Sequence, residues 1–255
     1  MASQHGFQRM AALCGVVAVL LFFGAFALAG FIPPVSPSLT AEQITAHYRE
    51  HTFGMGLGGL AMMLSGMFYA PFTAVISTQM QRIPGVHRTV HYTRLVAGAF
   101  ACVTFTLPGM LLVVASFRPE RAPDLTLLLN DLAWILLVLP WPPFFAQNGA
   151  FAFAIMTDRR EVPLFPRWVA YFNVWAPISF SPSILLPFFR SGPFAWNGLF
   201  VVWIPAVVFV AQFVVNAAVL FTAIRQEESL EVGLPGFDGL GAPVAVVPPS
   251  MISGT

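Results

Sequence analysis

Leu95–Phe117 reads LVAGAFACVTFTLPGMLLVVASF, a charge-free stretch closed by Arg94 on one side and Arg118 on the other. A helix rising 1.5 Å per residue needs about 20 apolar residues to cross about 30 Å of hydrocarbon. Within lipid every backbone N–H and C=O must be paired inside the segment, and helices satisfy this. Membrane β-strands are shorter and alternate in polarity, which this stretch does not. Five further charge-free runs of comparable or greater length surround it: 10–41, 52–81, 132–157, 168–189 and 191–224. The reading is all-α, a polytopic bundle of six transmembrane spans over about 10–32, 53–79, 93–117, 127–157, 168–189 and 196–224.

Composition agrees. Of 255 residues, 57% are hydrophobic and 9% charged, and mean hydropathy is +0.77. Ordinary soluble domains carry about 25% charged residues. The balance excludes a soluble enzyme, a disordered chain, a coiled coil and a nucleic-acid-binding domain. The net charge of +1 leaves no global field to steer anions. Cys14 and Cys102 lie inside apolar runs and read as small hydrophobes, with no disulfide or metal framework expected.

All twelve cations are arginine. With the N-terminus inside, the inner segments hold Arg9, Arg82, Arg88, Arg94, Arg159, Arg160, Arg167 and Arg225. The outer loops hold Arg49, Arg118, Arg121 and Arg190. This asymmetry places the chain in the cytoplasmic membrane with both termini cytoplasmic. Arg9, the apolar stretch and Ala27-Leu28-Ala29 mimic a signal peptide. The stretch from Met10 to Ile32 exceeds the ~7–15 residues of a signal core, so a retained helix is expected. The spans make one domain, 1–225. Residues 226–255, acidic and then rich in Gly and Pro, read as a flexible cytoplasmic tail.

The first outer loop carries a capping-box pattern, Thr40-Ala41-Glu42-Gln43, predicting a short helix over about 41–51. On the inner side, His87, His91 and Arg94 share a helical face after the Pro84-Gly85 turn. That face is expected at the membrane surface, against anionic head groups. Gly54 and Gly58 form G-x-x-x-G, extended by Ala61, Ser65 and Gly66, a pattern for close helix packing. Asp131, near the outer edge of span four, is expected to pair with Arg118 or Arg121.

The last three spans pair tryptophan with proline: Pro140-Trp141-Pro142-Pro143, Trp175-Ala176-Pro177 and Trp203-Ile204-Pro205, with Pro182 and Pro187 added in span five. Interior prolines remove a donor and kink helices, so the C-terminal half is expected to splay. Gln147, Asn148, Asn173, Gln212 and Asn216 fall about 9 to 20 Å above the inner charges, at 1.5 Å per residue. They serve either as interhelical hydrogen bonds or as the polar floor of an aromatic-walled site. The ligand-site candidates are therefore Trp141, Gln147, Asn148, Asn173, Trp175, Trp203, Gln212 and Asn216.

Candidates for other chemistry are sparse. His47 and His51 stand at i, i+4 and are the candidate metal ligands, although zinc wants a third. No histidine lies inside a span, which argues against a transmembrane haem. The absence of lysine argues against a retinal Schiff base, and G-x-S-x-G and P-loop fingerprints are missing. Cofactors stay unassigned.

Ala46-His47-Tyr48-Arg49-Glu50-His51, leading into a Gly-rich span, and Ile76-Ser77-Thr78-Gln79-Met80-Gln81-Arg82-Ile83-Pro84-Gly85 resemble a group of uncharacterised six-helix integral membrane proteins common in actinobacteria. The resemblance extends over about the first 225 residues. It implies a six-helix fold and brings no activity with it. The functional expectation is a non-enzymatic binder or carrier of a small hydrophobic, lipid-like molecule in the bilayer. The alternatives are a structural or accessory subunit of a larger membrane complex, and a metal-dependent membrane enzyme using His47 and His51.

Overall fold

The computed structural model describes residues 2–232, 236–237 and 243–244, with side chains from His5 to Leu230. Eight α-helices follow in order: α1 (Ala2–Leu28), α2 (Ala41–Glu50), α3 (Thr52–Met80), α4 (Arg88–Phe117), α5 (Pro123–Val138), α6 (Pro142–Thr157), α7 (Arg167–Ile178) and α8 (Ile204–Val232). A 3₁₀ segment, Ser181–Phe188, continues α7, and a π turn, Leu199–Trp203, leads into α8. Six units are long and apolar enough to span: most of α1, α3, α4, α5 with α6, α7 with its 3₁₀ extension, and the π turn with α8. The chain is a multi-pass membrane protein with a six-span helical bundle.

Several boundaries differ from the sequence reading. The first span ends at Leu28, where Gly30 turns the chain at φ +68°. The last helix passes the expected end at 224 and runs to Val232, so the first residues assigned to the tail are helical. The rest of the tail lies outside the described residues, apart from a two-residue antiparallel pairing of Gly236–Phe237 with Pro243–Val244.

Small residues set the helix spacing in the N-terminal half. Gly54 and Gly58 of α3 face α1. A Cβ on Gly58 would stand 2.6 Å from the Ala25 carbonyl oxygen. Gly59 and Gly66 face α4 instead, and Gly59 and Gly109 touch backbone to backbone. The G-x-x-x-G reading therefore holds, and the glycines serve two neighbours. Close backbone approach gives van der Waals contact where lipid offers no hydrophobic drive.

The predicted loop helix is α2, capped by the reciprocal Thr40–Gln43 bonds. It buries Ile44 and Tyr48 against the bundle. At this end Trp196 stacks on Trp134 and donates to the Val35 carbonyl at 2.8 Å, tying two loops together. At the opposite end, which carries the N-terminus and the end of α8, fully buried Gln79 donates to Gln8 at 2.6 Å and to Glu227 at 2.9 Å. Arg82 donates to Gln79 at 2.7 Å and to the Ala223 carbonyl at 2.9 Å, and Arg9 pairs with Glu228. These bonds fasten α1, α3 and α8.

Prolines break the C-terminal half as expected. The fourth span is interrupted between Val138 and Pro142, with Pro140 in the gap and Pro142 restarting the helix where its missing N–H costs nothing. Span five narrows into 3₁₀ geometry around Pro182 and Pro187. Span six opens with the π turn just before Pro205. These irregular segments meet at one cavity.

Candidate functional site

The cavity has a volume of about 110 Å³. Phe22 and Phe23 of α1, Phe105 of α4, Phe144 of α6 and Phe209 of α8 wall it, and Trp141 stands in the α5–α6 gap. The rings form a continuous contact set: Phe22 lies edge-to-face 5.4 Å from Phe105 and tilted 5.5 Å from Phe209, and Phe144 lies edge-to-face 6.2 Å from Phe209. Two hydroxyls reach the wall, and both are spent on backbone. Thr104 donates to the Ala101 carbonyl at 2.7 Å and Ser183 to the Phe180 carbonyl at 2.7 Å. The lining is therefore apolar in practice. The broken helices create it, since backbone that departs from α geometry cannot fill space as a close-packed rod does.

Beside this cavity lies a buried polar layer. Gln147 donates to the Tyr69 hydroxyl. Gln212 donates to Asn148 Oδ1 at 2.6 Å. Asn173 and Asn216 exchange amide bonds at 3.1 and 3.3 Å. The five amides are all buried, from 0 to 4% exposed. The five amides expected at one depth are all inside the bundle, and none of them lines the cavity. Two pairs bond across helices, Asn148 with Gln212 between α6 and α8 and Asn173 with Asn216 between α7 and α8, each contributing about 0.6 kcal/mol, while Gln147 bonds to Tyr69 of α3.

Arg94 joins this layer, contrary to its expected place at the membrane surface. It is 1% exposed. Its Nη1 donates to the Gln147 carbonyl at 3.0 Å and to Asn148 Oδ1 at 3.4 Å, and its guanidinium stands 5.5 Å from the centre of the Phe151 ring. His91, one turn earlier, is also buried, and Ser77 donates to its carbonyl at 3.1 Å. Of the expected face, only His87 remains at the rim, capping α4 through the Thr89 amide. The physical reason is helix geometry: α4 begins at Arg88, so Arg94 lies almost two turns inside, on the face turned to α6. The layer is incompletely served. Arg94 Nε, Asn148 Nδ2, Gln147 Oε1 and Gln212 Oε1 are buried without a partner.

The three candidate tryptophans separate. Trp141 is at the cavity. Trp175 and Trp203, 67% and 44% exposed, stand on the outer face of the bundle, away from the lining. Tryptophan serves equally as a wall or as a lipid-facing side chain, so its presence beside proline did not fix which way it points.

The histidine pair is together but incomplete. The His47 and His51 rings stack at 4.5 Å, and His47 also stacks on Phe31 at 5.4 Å. Burial and the neighbouring His51 push the His47 imidazole below its ordinary pKa. No group of three or more His, Cys, Asp or Glu able to hold a metal occurs among the described residues. Asp131 departs from its expected arginine pairing. It accepts from Asn130 at 3.3 Å, Asn130 in turn accepts from Tyr48 at 3.3 Å, and Arg121 is engaged by the Val114 carbonyl at 3.0 Å.

Comparison with protein-family models, with curated proteins and with solved structures finds no match to this chain.

Proposed function

We propose that the chain is a non-enzymatic binder or carrier of a hydrophobic, lipid-like molecule, held in the cavity where the α5–α6 gap, the 3₁₀ segment and the π turn meet. The observation that carries this reading is the cavity's lining: six phenylalanines and Trp141 around about 110 Å³, with both wall hydroxyls already bonded to backbone. An apolar hollow of about 150 Å³ stays dry and takes up a molecule of benzene size. A hollow somewhat smaller than that suits a section of an acyl chain. Leaving it empty forfeits dispersion contacts along every wall.

The bundle end that holds Arg9, Arg82 and Arg225 is the cytoplasmic end in this reading. With Arg94 withdrawn into the bundle, the eight arginines counted for that side become seven, against four at the other, which keeps the same sense.

The test is native mass spectrometry of the gently solubilised protein beside Ala206→Phe, which places a ring into the cavity from α8. The expected result is a discrete small-molecule adduct on the wild type and its loss from the variant. A bare wild-type chain, or an adduct that Ala206→Phe retains, refutes the reading.

A further inference from the structure

Arg94 is a buried cation without an anion. No carboxylate among the described residues pairs with it, and both groups it donates to are neutral amide oxygens. Its Nε has no acceptor, and Asn148 Nδ2 beside it has none either. Ionisable groups inside a membrane bundle are costly and mark pathways or ligand counter-ions. A guanidinium stays charged in proteins, so the deficit cannot be removed by losing the proton. The layer also holds two acceptors without a donor, Gln147 Oε1 and Gln212 Oε1, so what it lacks among the described residues is a negative charge to balance the guanidinium.

We infer that a carboxylate completes this site, the headgroup of an amphipathic acid whose apolar tail occupies the aromatic cavity. The inference rests on the carrier reading above and names its ligand class. The two places adjoin along three elements. Asn148 is one turn from Phe144 on α6, and Gln212 is one turn from Phe209 on α8. Tyr69, which receives the Gln147 amide, packs on Phe105 at 5.5 Å. The polar layer therefore lies about one helical turn from the cavity wall on α6 and α8, with Tyr69 and Phe213 packed between them. Charge chooses the headgroup: one carboxylate balances one guanidinium, and the planar fork of arginine suits it. A dianionic phosphate would leave a buried negative charge unbalanced. A neutral alcohol would leave the cation as it stands.

The experiment uses the purified full chain in mild detergent at about pH 8.5, well above the carboxylate range. Binding of oleate is compared with that of oleyl alcohol, which has the same tail and no charge, in wild type, Arg94→Gln and Asn148→Asp. The last variant places a carboxylate beside Arg94 from within the protein. The expected result is that wild type prefers oleate by about tenfold or more, that both variants bind the alcohol but lose the preference, and that Asn148→Asp melts higher than wild type. Asn148→Asp also carries the test if Arg94→Gln fails to fold. Equal affinity for acid and alcohol in wild type, or a preference surviving in a folded variant, overturns this inference and leaves the carrier reading standing. Binding of neither molecule overturns both. Acetate that reproduces the full stabilisation given by oleate overturns the link between the cation and the cavity.

Discussion

Gly59→Ala tests the packing that holds α3 to α4. A Cβ built on Gly59 stands 2.6 Å from the Gly109 carbonyl oxygen and 2.7 Å from Val113 Cγ2, and one on Gly109 stands 2.6 Å from the Gly59 oxygen. Val113 can rotate; the Gly109 backbone cannot yield without parting the helices. Overpacking of this kind costs about 1–3 kcal/mol. Alanine also gains about 1 kcal/mol over glycine in a helix. That gain must be cancelled to isolate the contact, and the protein supplies its own controls. At Gly24 of α1 and Gly149 of α6 an added methyl would meet nothing within 4 Å, so Gly24→Ala and Gly149→Ala report the helix term alone. The difference between Gly59→Ala and either control is thus about 1–3 kcal/mol. Thermal unfolding in detergent, followed by circular dichroism, reads this as a lower Tm, at about 2–4 °C per kcal/mol for a chain near this size. If Gly59→Ala melts with the controls, the backbone contact does not set the helix spacing.

Four other outcomes are expected. Tyr48→Phe removes the donor to Asn130 and lowers stability by about 1 kcal/mol, measured as a Tm shift, because Asn130 is fully buried; an unchanged Tm contradicts the bond. Gln79→Leu strips partners from Gln8, Arg82 and Glu227 at once and costs about 1–3 kcal/mol; wild-type denaturation by a titrated detergent would contradict this. Because the His47 pKa is lowered on folding, the unfolded chain takes up the proton first, so stability falls as pH drops below about 6.5. His47→Phe, which keeps the stacking on Phe31, flattens that part of the pH–Tm curve; a slope as steep as wild type refutes the assignment. Burial works to raise the Asp158 carboxyl, but hydrogen bonds from Arg160 at 2.8 Å and from the Leu164 amide at 2.9 Å outweigh it and hold it below the usual range. Its contribution is present above about pH 4 and lost as pH falls further, and Asp158→Asn removes that acid-side loss from the same melting series.

The spans were legible because a membrane imposes a one-dimensional rule: length without charge. Leu95–Phe117 could be read without knowing any neighbour. The proline signals were nearly as local, since Pro140 and Pro142 interrupt whatever helix they enter. Arg94 shows where that rule ends. By count along the chain it bounds a span, as Arg118 does, and an arginine near a span end ordinarily snorkels to the surface. What draws it inward is the Gln147 carbonyl and Asn148 amide on another helix, residues whose proximity no spacing within α4 encodes. The five amides gave a partial signal, since polar groups at one depth on three spans must find each other or a ligand. They did not reveal that a cation sits among them.

The tryptophans make the complementary point. Trp141, Trp175 and Trp203 look alike in sequence, each beside a proline, yet the first stands at the cavity and the other two are exposed on the outer face of the bundle. In water, burial would decide the direction of such a ring; in lipid both directions are apolar, and the choice falls to packing alone. Phenylalanines with no motif around them, Phe22, Phe105 and Phe209, build the walls instead. Hydrophobicity in a membrane protein therefore marks spans well and sites poorly. The informative residues are those whose burial carries a cost, and in this chain the costliest is Arg94, fully buried beside a donor left unserved.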